Sequence, residues 1–349
     1  MSLKNKIKFI LITTLILILA IELILRCIGF SAYTFDEISL LKCRNKNWEF
    51  DKVLGFKHKT EPNACKIEGL NFTVNYCKDS SRRTSECEEC NKRKPKIHLY
   101  GCSITWGHGI NDNETMGWII QDSLSEYCVY NYGIGAGSTT QSYLWLKKNL
   151  EVGNSPQIVI INYSWFHNMR NTFSWPWRKA WQSFIYHGVI NEQDTIVKIP
   201  VAKMESDSLK IDYLTLAEIN HTIPFVKYSA LLNSINDIYQ SKWVDRYKND
   251  FFSTELLLTK MNELCKRNNI KFLVNAITND TATLRMLQCL SKKGILTNSI
   301  AVDFFKDNTY NLQPYDGHPN YKANKYFANQ TIKFLKYRKL VISNSSENE

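Results

Sequence analysis

Three short stretches hold the residue types that covalent catalysis needs. "KIHLYGCSITWGHGI" (96–110) ends an apolar run at Gly101 and places Ser103 two residues later. "YDGHPNYKANKYFAN" (315–329) sets Asp316 and His318 either side of Gly317. "NYGIGAGSTTQ" (131–141) is a glycine-rich loop. A serine hydroxyl becomes a nucleophile when an imidazole takes its proton, and a carboxylate on the other ring nitrogen holds that imidazole in the required tautomer. Ser103, His318 and Asp316 are the candidates for those three parts. The glycine loop can aim backbone N–H groups at a developing oxyanion. Taken singly, each stretch has a plainer reading: Ser103 as a turn residue, Asp316 or Asn320 as a helix cap. No Lys-Ser/Thr follows the glycines and the dinucleotide spacing is absent, so phosphate and dinucleotide loops are disfavoured.

The elements that must position these residues are legible from residue 96 onward. "KIHLYG", "CVYNYG", "QIVIINYS", "IKFLVNAI" and "SIAVDFF" read as short buried strands. "ETMGWIIQDSLSEY", "TTQSYLWLKKNLE", "DFFSTELLLTKMNELCKRNN", "TATLRMLQCLSKKG" and "NYKANKYFANQTIKFLKYRK" read as helices between and after them. Short apolar strands joined by helices predict an α/β fold with a mostly parallel five-stranded sheet between helical layers. Ligands of such sheets bind at the carboxyl ends of the strands, which is where Ser103 and the glycine loop fall. Residues 165–250 interrupt the alternation with Trp165, Trp175, Trp177 and Trp181 close together. Three readings stay open for this insert: a lid or substrate platform, ordinary packing, or a rim that touches a bilayer.

The blocks "GCSITWGHGINDNET", "NYGIGAGSTTQ" and "DGHPN", in that order and each after a strand, resemble the SGNH (GDSL-type) hydrolase superfamily. The form "GCSxTxG" resembles a membrane-anchored bacterial branch of it. The likeness covers roughly residues 96–338 without the insert. It implies a three-layer α/β/α flavodoxin-like fold and ester hydrolysis or acyl transfer. It also implies Ser103 as nucleophile and first oxyanion donor, His318 as base and Asp316 as its orienting acid. No cofactor and no metal are implied. Four departures stand out. Cys102 replaces the aspartate before the nucleophile. The acid lies two rather than three residues before the histidine, a spacing that Gly317 is expected to permit. Ala136 occupies the usual oxyanion glycine position, with Gly135 and Gly137 beside it. After the third strand "NYSWFHNMRN" replaces a clear G-x-N-D, leaving Asn162, His167 and Asn168 as candidate side-chain donors, with Asn168 preferred.

The N-terminus fixes the expected address. Lys4, Lys6 and Lys8 precede seventeen residues from Phe9 to Leu25 that carry one charge, Glu22. That length approaches a bilayer span, and the lysines predict a cytoplasmic N-terminus with the rest of the chain outside. An uncleaved signal anchor over 1–30 is expected, followed by a Cys-rich membrane-proximal segment (31–95), the hydrolase-like domain (96–338) and a disordered tail (339–349). Export makes disulfides available to the ten cysteines. Cys65, Cys77, Cys87 and Cys90 crowd together and are read as a stapled loop, since "CEEC" lacks the second half of a zinc knuckle. The formal charge of +11 contains the clusters Arg82–Arg83 and "NKRKPK". Without a basic helix or an aromatic-basic repeat it reads as a solvated basic face, not as a nucleic-acid surface. The expected partners are an acylated carbohydrate or lipid ester and, through the N-terminal helix, a membrane. A catalytically weak or inactive SGNH-fold protein, binding glycan or serving envelope polysaccharide assembly, is the competing expectation.

Overall fold

The structure, a computed structural model, describes residues 2–35, 42–43, 48–61, 63–67, 69–86, 94–190, 197–205, 208–245 and 249–342. The Cys87–Cys90 motif and the tail from 343 lie outside the described residues. In chain order the helices are α1 Leu3–Cys27, α2 Ser103–Trp106, α3 Met116–Ser123, α4 Thr139–Glu151, α5 Phe166–Thr172, α6 Trp175–Tyr186, α7 Leu216–Ile219, α8 Ala230–Ile238, α9 Asp250–Arg267, α10 Thr281–Lys292 and α11 Tyr321–Tyr337. The strands are β1 Lys42–Cys43, β2 Trp48–Asp51, β3 Gly55–His58, β4 Asn63–Ile67, β5 Leu70–Val74, β6 Lys96–Gly101, β7 Cys128–Gly133, β8 Ile158–Tyr163, β9 Lys198–Glu205, β10 Ser208–Thr215, β11 Lys271–Ala276, β12 Leu296–Ser299, β13 Asn311–Leu312 and β14 Asp316–Pro319.

The chain divides into two compact units. The larger comprises residues 39–173, 196–215 and 249–349; the smaller comprises 1–38, 174–195 and 216–248. The 165–250 insert is therefore not one piece. Its first helix, α5, and the β9–β10 hairpin belong to the larger unit.

In the larger unit five parallel strands run in the order β12-β11-β8-β6-β7. Numbered from the first strand of the sheet this is the flavodoxin-like order 2-1-3-4-5, whose switch point lies between the first and third strands, here β6 and β8. Every residue of β8 is buried, as expected of a strand covered on both faces. Alternation sorts the side chains: Ile158 and Ile160, with Ile97, Leu99 and Leu273, meet α3 and α11 through Met116, Ile120, Phe327 and Leu335. Helices α4 and α9 cover the opposite face. The result is a three-layer α/β/α sandwich.

Two sequence expectations shift here. "SIAVDFF" is not the fifth strand; that strand is β12, ending at Ser299 where the run begins. Ile300 and Phe304 are buried in the core beside Phe327, so their hydrophobicity signals packing after the strand has ended. The tail is ordered through Ile342: Val341 is buried and the Ile342 N–H donates to Tyr127 Oη at 3.2 Å.

Strands β1 to β5 form small antiparallel pairs, β2–β3 and β1-β4-β5. Cys43 faces Cys65 in the β1–β4 register and is disulfide-bonded to it. Cys65 thus pairs outside the crowded group, because the strand register, not sequence proximity, brings sulfurs together. Cys77 is a free thiol, its pKa raised by burial, and Cys128 is disulfide-bonded.

In the smaller unit, α1 is 25 residues long, has a mean hydropathy of 2.6 over its most apolar window and buries none of it; it is a candidate membrane span. Tyr33, Trp175 and Val226 form a local core, and Trp181 is also buried. Trp175 and Trp181 are packing residues and offer no open platform for a substrate.

Candidate active site

Strand β6 delivers the serine. Gly101 ends the strand at φ +157°, and a Cβ there would lie 2.2 Å from Thr105 Oγ1. Only glycine lets the chain turn so tightly into α2, whose first residue is Ser103. Gly107 closes that turn at φ +89°, where a Cβ would meet Thr115 Cγ2 at 2.6 Å and Arg82 Nη1 at 2.8 Å. Ser103 is therefore held at the carboxyl edge of the sheet, beside its topological switch point.

The histidine and aspartate arrive on β14, which pairs with β13 outside the main sheet. Residues two apart on a strand project to the same side, so Asp316 and His318 face the same way. Gly317 has no left-handed φ and open space around it, so the two-residue spacing works through strand geometry and not through glycine freedom. His318 Nε2 lies 2.9 Å from Ser103 Oγ. His318 Nδ1 lies 2.5 Å from Asp316 Oδ1, which also accepts the His318 backbone N–H at 2.7 Å. Burial works to raise the Asp316 carboxyl, but hydrogen bonds and charge from His318, with charge from His108, outweigh it and hold it at about 2. A permanently ionised acid fixes the proton on Nδ1 and leaves Nε2 as acceptor for the serine hydroxyl.

The glycine loop leaves β7 beside β6, and the Ile134 N–H donates to Gly101 O at 3.1 Å, so the two loops are neighbours. Hydrogen bonding separates its candidates. The Gly135 N–H donates to His58 Nε2 and the Gly137 N–H to Ile134 O, so neither is available as an oxyanion donor. Among the described residues, the N–H groups of Ser103 and Ala136 have no internal acceptor. Ala136 sits at φ +56°, in the left-handed region that favours glycine. Such a conformation costs an L-residue roughly 1–2 kcal/mol.

The candidates after β8 separate in the same way. Asn162 is committed to the interior. Its Nδ2 donates to Thr105 Oγ1 at 3.1 Å and its Oδ1 accepts from Asn275 Nδ2 at 3.2 Å, so it is not an oxyanion donor. His167 is fully buried, with Nδ1 3.2 Å from Thr139 Oγ1, and burial drives its pKa well below the ordinary value. Asn168 is oriented by Tyr163, whose hydroxyl donates to its Oδ1 at 2.8 Å, leaving Nδ2 with no acceptor among the described residues. Of the candidate groups, the Ser103 N–H, the Ala136 N–H, Asn168 Nδ2 and the fully buried His167 Nε2 have no internal acceptor among the described residues.

Three residues were not singled out by sequence. His108 packs against His318 with ring centroids 4.2 Å apart and the planes tilted by 35°, and its Nε2 is 3.8 Å from Asp316 Oδ2. Burial, reinforced by the charge of His318, lowers its pKa to about 3, so it is neutral at pH 7. Arg82, read as part of a solvated cluster, is 1% exposed. It pairs with Asp112 at 2.8 Å and donates to the carbonyls of Trp106, Gly107 and Ile110, clamping the loop that carries His108. Arg170 on α5 hydrogen-bonds the Cys102 sulfur and donates to Gly137 O at 3.2 Å, tying the loops after β6, β7 and β8 together. The buried partner of Cys102 was the missing signal, since nothing in the sequence pairs this thiol with a guanidinium.

His108, Asp316 and His318 bring ligand atoms within 4.8 Å of one another, a spacing a metal ion could use. Both His318 nitrogens are already engaged, by Ser103 and by Asp316, and that favours proton relay over ligation.

Fold and site together define a doubly wound α/β protein with a serine–histidine–aspartate relay at the carboxyl edge of its sheet. No protein-family model matches the sequence, and no curated protein matches it. Solved structures do resemble it. A member of the lipolytic protein G-D-S-L family from Veillonella parvula is 12% identical, over 69% of this chain and 98% of that one, with a TM-score of 0.38. The psychrotrophic esterase EstA from Pseudoalteromonas sp., in a structure inhibited by monoethylphosphonate, is 12% identical over 70% and 99%, with a TM-score of 0.38. An acetyl xylan esterase from the rumen bacterium Butyrivibrio proteoclasticus is 9% identical over 74% and 67%, with a TM-score of 0.36.

Proposed function

We propose that this chain is a membrane-anchored, extracytoplasmic serine esterase of the SGNH type that hydrolyses or transfers O-acyl groups. The observation that carries the reading is the unbroken relay from Ser103 Oγ through the His318 ring to Asp316. Ser103 attacks the ester carbonyl as its proton passes to Nε2, and Asp316 stabilises the imidazolium. Ser103 N–H, Ala136 N–H and Asn168 Nδ2 are the donors for the oxyanion. The strain kept at Ala136 supports a use for that backbone N–H. Collapse expels the alcohol, which takes the proton from Nε2 and leaves an acyl-serine. Water, or a sugar hydroxyl in the transfer variant, then attacks the acyl carbon, gives its proton to His318 and restores Ser103. Acylated glycans are the favoured substrate class, since an exported, anchored enzyme meets envelope polysaccharide. The anchor reading is supported by α1, and an oxidising compartment by the Cys43–Cys65 disulfide.

The full chain in detergent should turn over p-nitrophenyl acetate, and Ser103→Ala and His318→Ala should each fall to background with the fold intact. Turnover that persists in folded Ser103→Ala overturns the assignment.

A further inference from the structure

From Ile235 onward, α8 and the π-helical turn after it, Tyr239–Val244, bury polar residues and expose apolar ones. Asn236 and Gln240 are fully buried. Asn236 Oδ1 accepts the Ile223 N–H, while Gln240 accepts from Arg178 and donates to His221 O. Ala230 is buried and Leu232 packs on the local core, but further along the apolar residues face outward: Ile235, Ile238 and Tyr239 lie on one helical stripe, with Ile238 51% exposed, and Trp243 follows at 60%. Phe225 and Tyr228, just upstream, are also exposed. A helix at a water-facing surface has the opposite arrangement, and a contiguous exposed apolar face of this kind marks a contact surface.

Its occupant follows from where α8 is fastened. The Glu22 carboxylate of α1 accepts from Ser229 Oγ at 2.7 Å and from the Ala230 and Leu231 N–H groups at 2.9 Å. Glu22 also pairs with Arg26, whose guanidinium donates to Tyr228 O. The first turn of α8 is thereby pinned at the level of Glu22. Lys8 and Glu22 are separated by about 21 Å along a helix rising 1.5 Å per residue, against a hydrocarbon core about 30 Å thick. With the lysines held among the inner headgroups, Glu22 falls at or inside the outer hydrocarbon boundary. A carboxylate at that depth needs neutralising, and Arg26 with the positive end of the α8 dipole supplies it. α8 must then enter the same layer, and its exposed Tyr and Trp, with Lys227 and Lys242 nearby, are the types enriched at a membrane interface.

We propose that α8 and the following turn form a second membrane contact, lying in the outer interface with Ile235, Ile238, Tyr239 and Trp243 among the lipids. This rests on the reading of α1 as an anchor. The test uses the full chain in vesicles of phosphatidylcholine and phosphatidylglycerol in equal parts, brominated either near the headgroup or near the chain end. Flotation comes first: a chain that does not float with the vesicles removes the anchor and this contact together. For a chain that floats, tryptophan emission should be quenched more by the shallow bromines than by the deep ones. Trp243→Phe should lose at least half of that shallow quenching, Trp175→Phe should keep it, and Ile238→Asp should reduce it while the chain still floats through α1. A floating chain with no shallow quenching, or equal quenching of wild type and Trp243→Phe, overturns the proposal and leaves the anchor standing.

Discussion

Arg82→Met tests whether the loop after the nucleophile is held by one buried guanidinium. Methionine fills a similar volume and keeps the backbone bond from Arg82 N–H to Asn131 O. It removes the 2.8 Å pair with Asp112 and three donations to carbonyls, at 2.7 Å to Trp106, 2.5 Å to Gly107 and 2.6 Å to Ile110. Among the described residues, the Asp112 carboxylate then keeps its bonds from Asn75 N–H and Nδ2. Breaking a buried pair from one side costs about 3–5 kcal/mol, and each buried acceptor left unmet about 1–3 kcal/mol. These terms overlap, because a slackened loop lets water reach the carbonyls, so the whole effect is set at about 4–6 kcal/mol. The same loop carries His108, packed on the His318 ring, so kcat should fall as well, with KM changing less. Urea unfolding of the full chain in detergent measures the first effect and p-nitrophenyl acetate kinetics the second. Arg82→Lys should be intermediate, since an ammonium can reach Asp112 but cannot bridge three carbonyls. A Met variant within about 1 kcal/mol of wild type and fully active would refute the clamp.

Asp316→Asn keeps the shape of β14 but loses the charge that sets the His318 tautomer. A kcat loss of about 10⁴ is expected, with the melting temperature little changed; a loss under tenfold would remove Asp316 from the relay. Stability should also depend on pH through His108. Its folded pKa of about 3 lies below the unfolded value, so protonation favours the unfolded chain and stability falls as pH drops from about 6.5 toward 3. At pH 5 the loss is about 2 kcal/mol, and His108→Phe should flatten that slope in urea titrations at several pH values. Asp316 has the same sign: its depressed carboxyl adds stability that is present above about pH 4 and lost toward pH 2, below most of the His108 window. Chelation with EDTA should leave turnover unchanged; loss on chelation with recovery on added zinc would reassign His108, Asp316 and His318 as metal ligands.

Much of this arrangement was legible because parallel strands buried on both faces are short, apolar and bounded by glycine or by helix caps. Strands β6 and β7 match their apolar runs residue for residue, and β8 and β11 lie one residue inside theirs at each end. Ser103 and the Asp316–His318 pair could be named because their chemistry is carried by side-chain type next to such boundaries. What escaped was set by partners distant in sequence. Arg82 looked like a solvated charge because Asp112 and three carbonyls join it only in the fold. Asn162 looked like a donor until its neighbours Thr105 and Asn275 were seen to occupy it. Ala136 and Gly137 were named together with Gly135 behind them, and only the fold, by bonding the Gly135 N–H to His58 and the Gly137 N–H to Ile134, leaves the Ala136 N–H as the one of the three without an acceptor among the described residues.

Peptide mapping of the full chain after treatment with a fluorophosphonate tests the relay most directly, since phosphonylation needs an activated serine oxygen and no particular leaving alcohol. The expected result is one adduct, on Ser103, absent from Ser103→Ala and formed far more slowly in His318→Ala. A folded wild-type chain that stays unlabelled, or one labelled elsewhere with Ser103 unmodified, would contradict it.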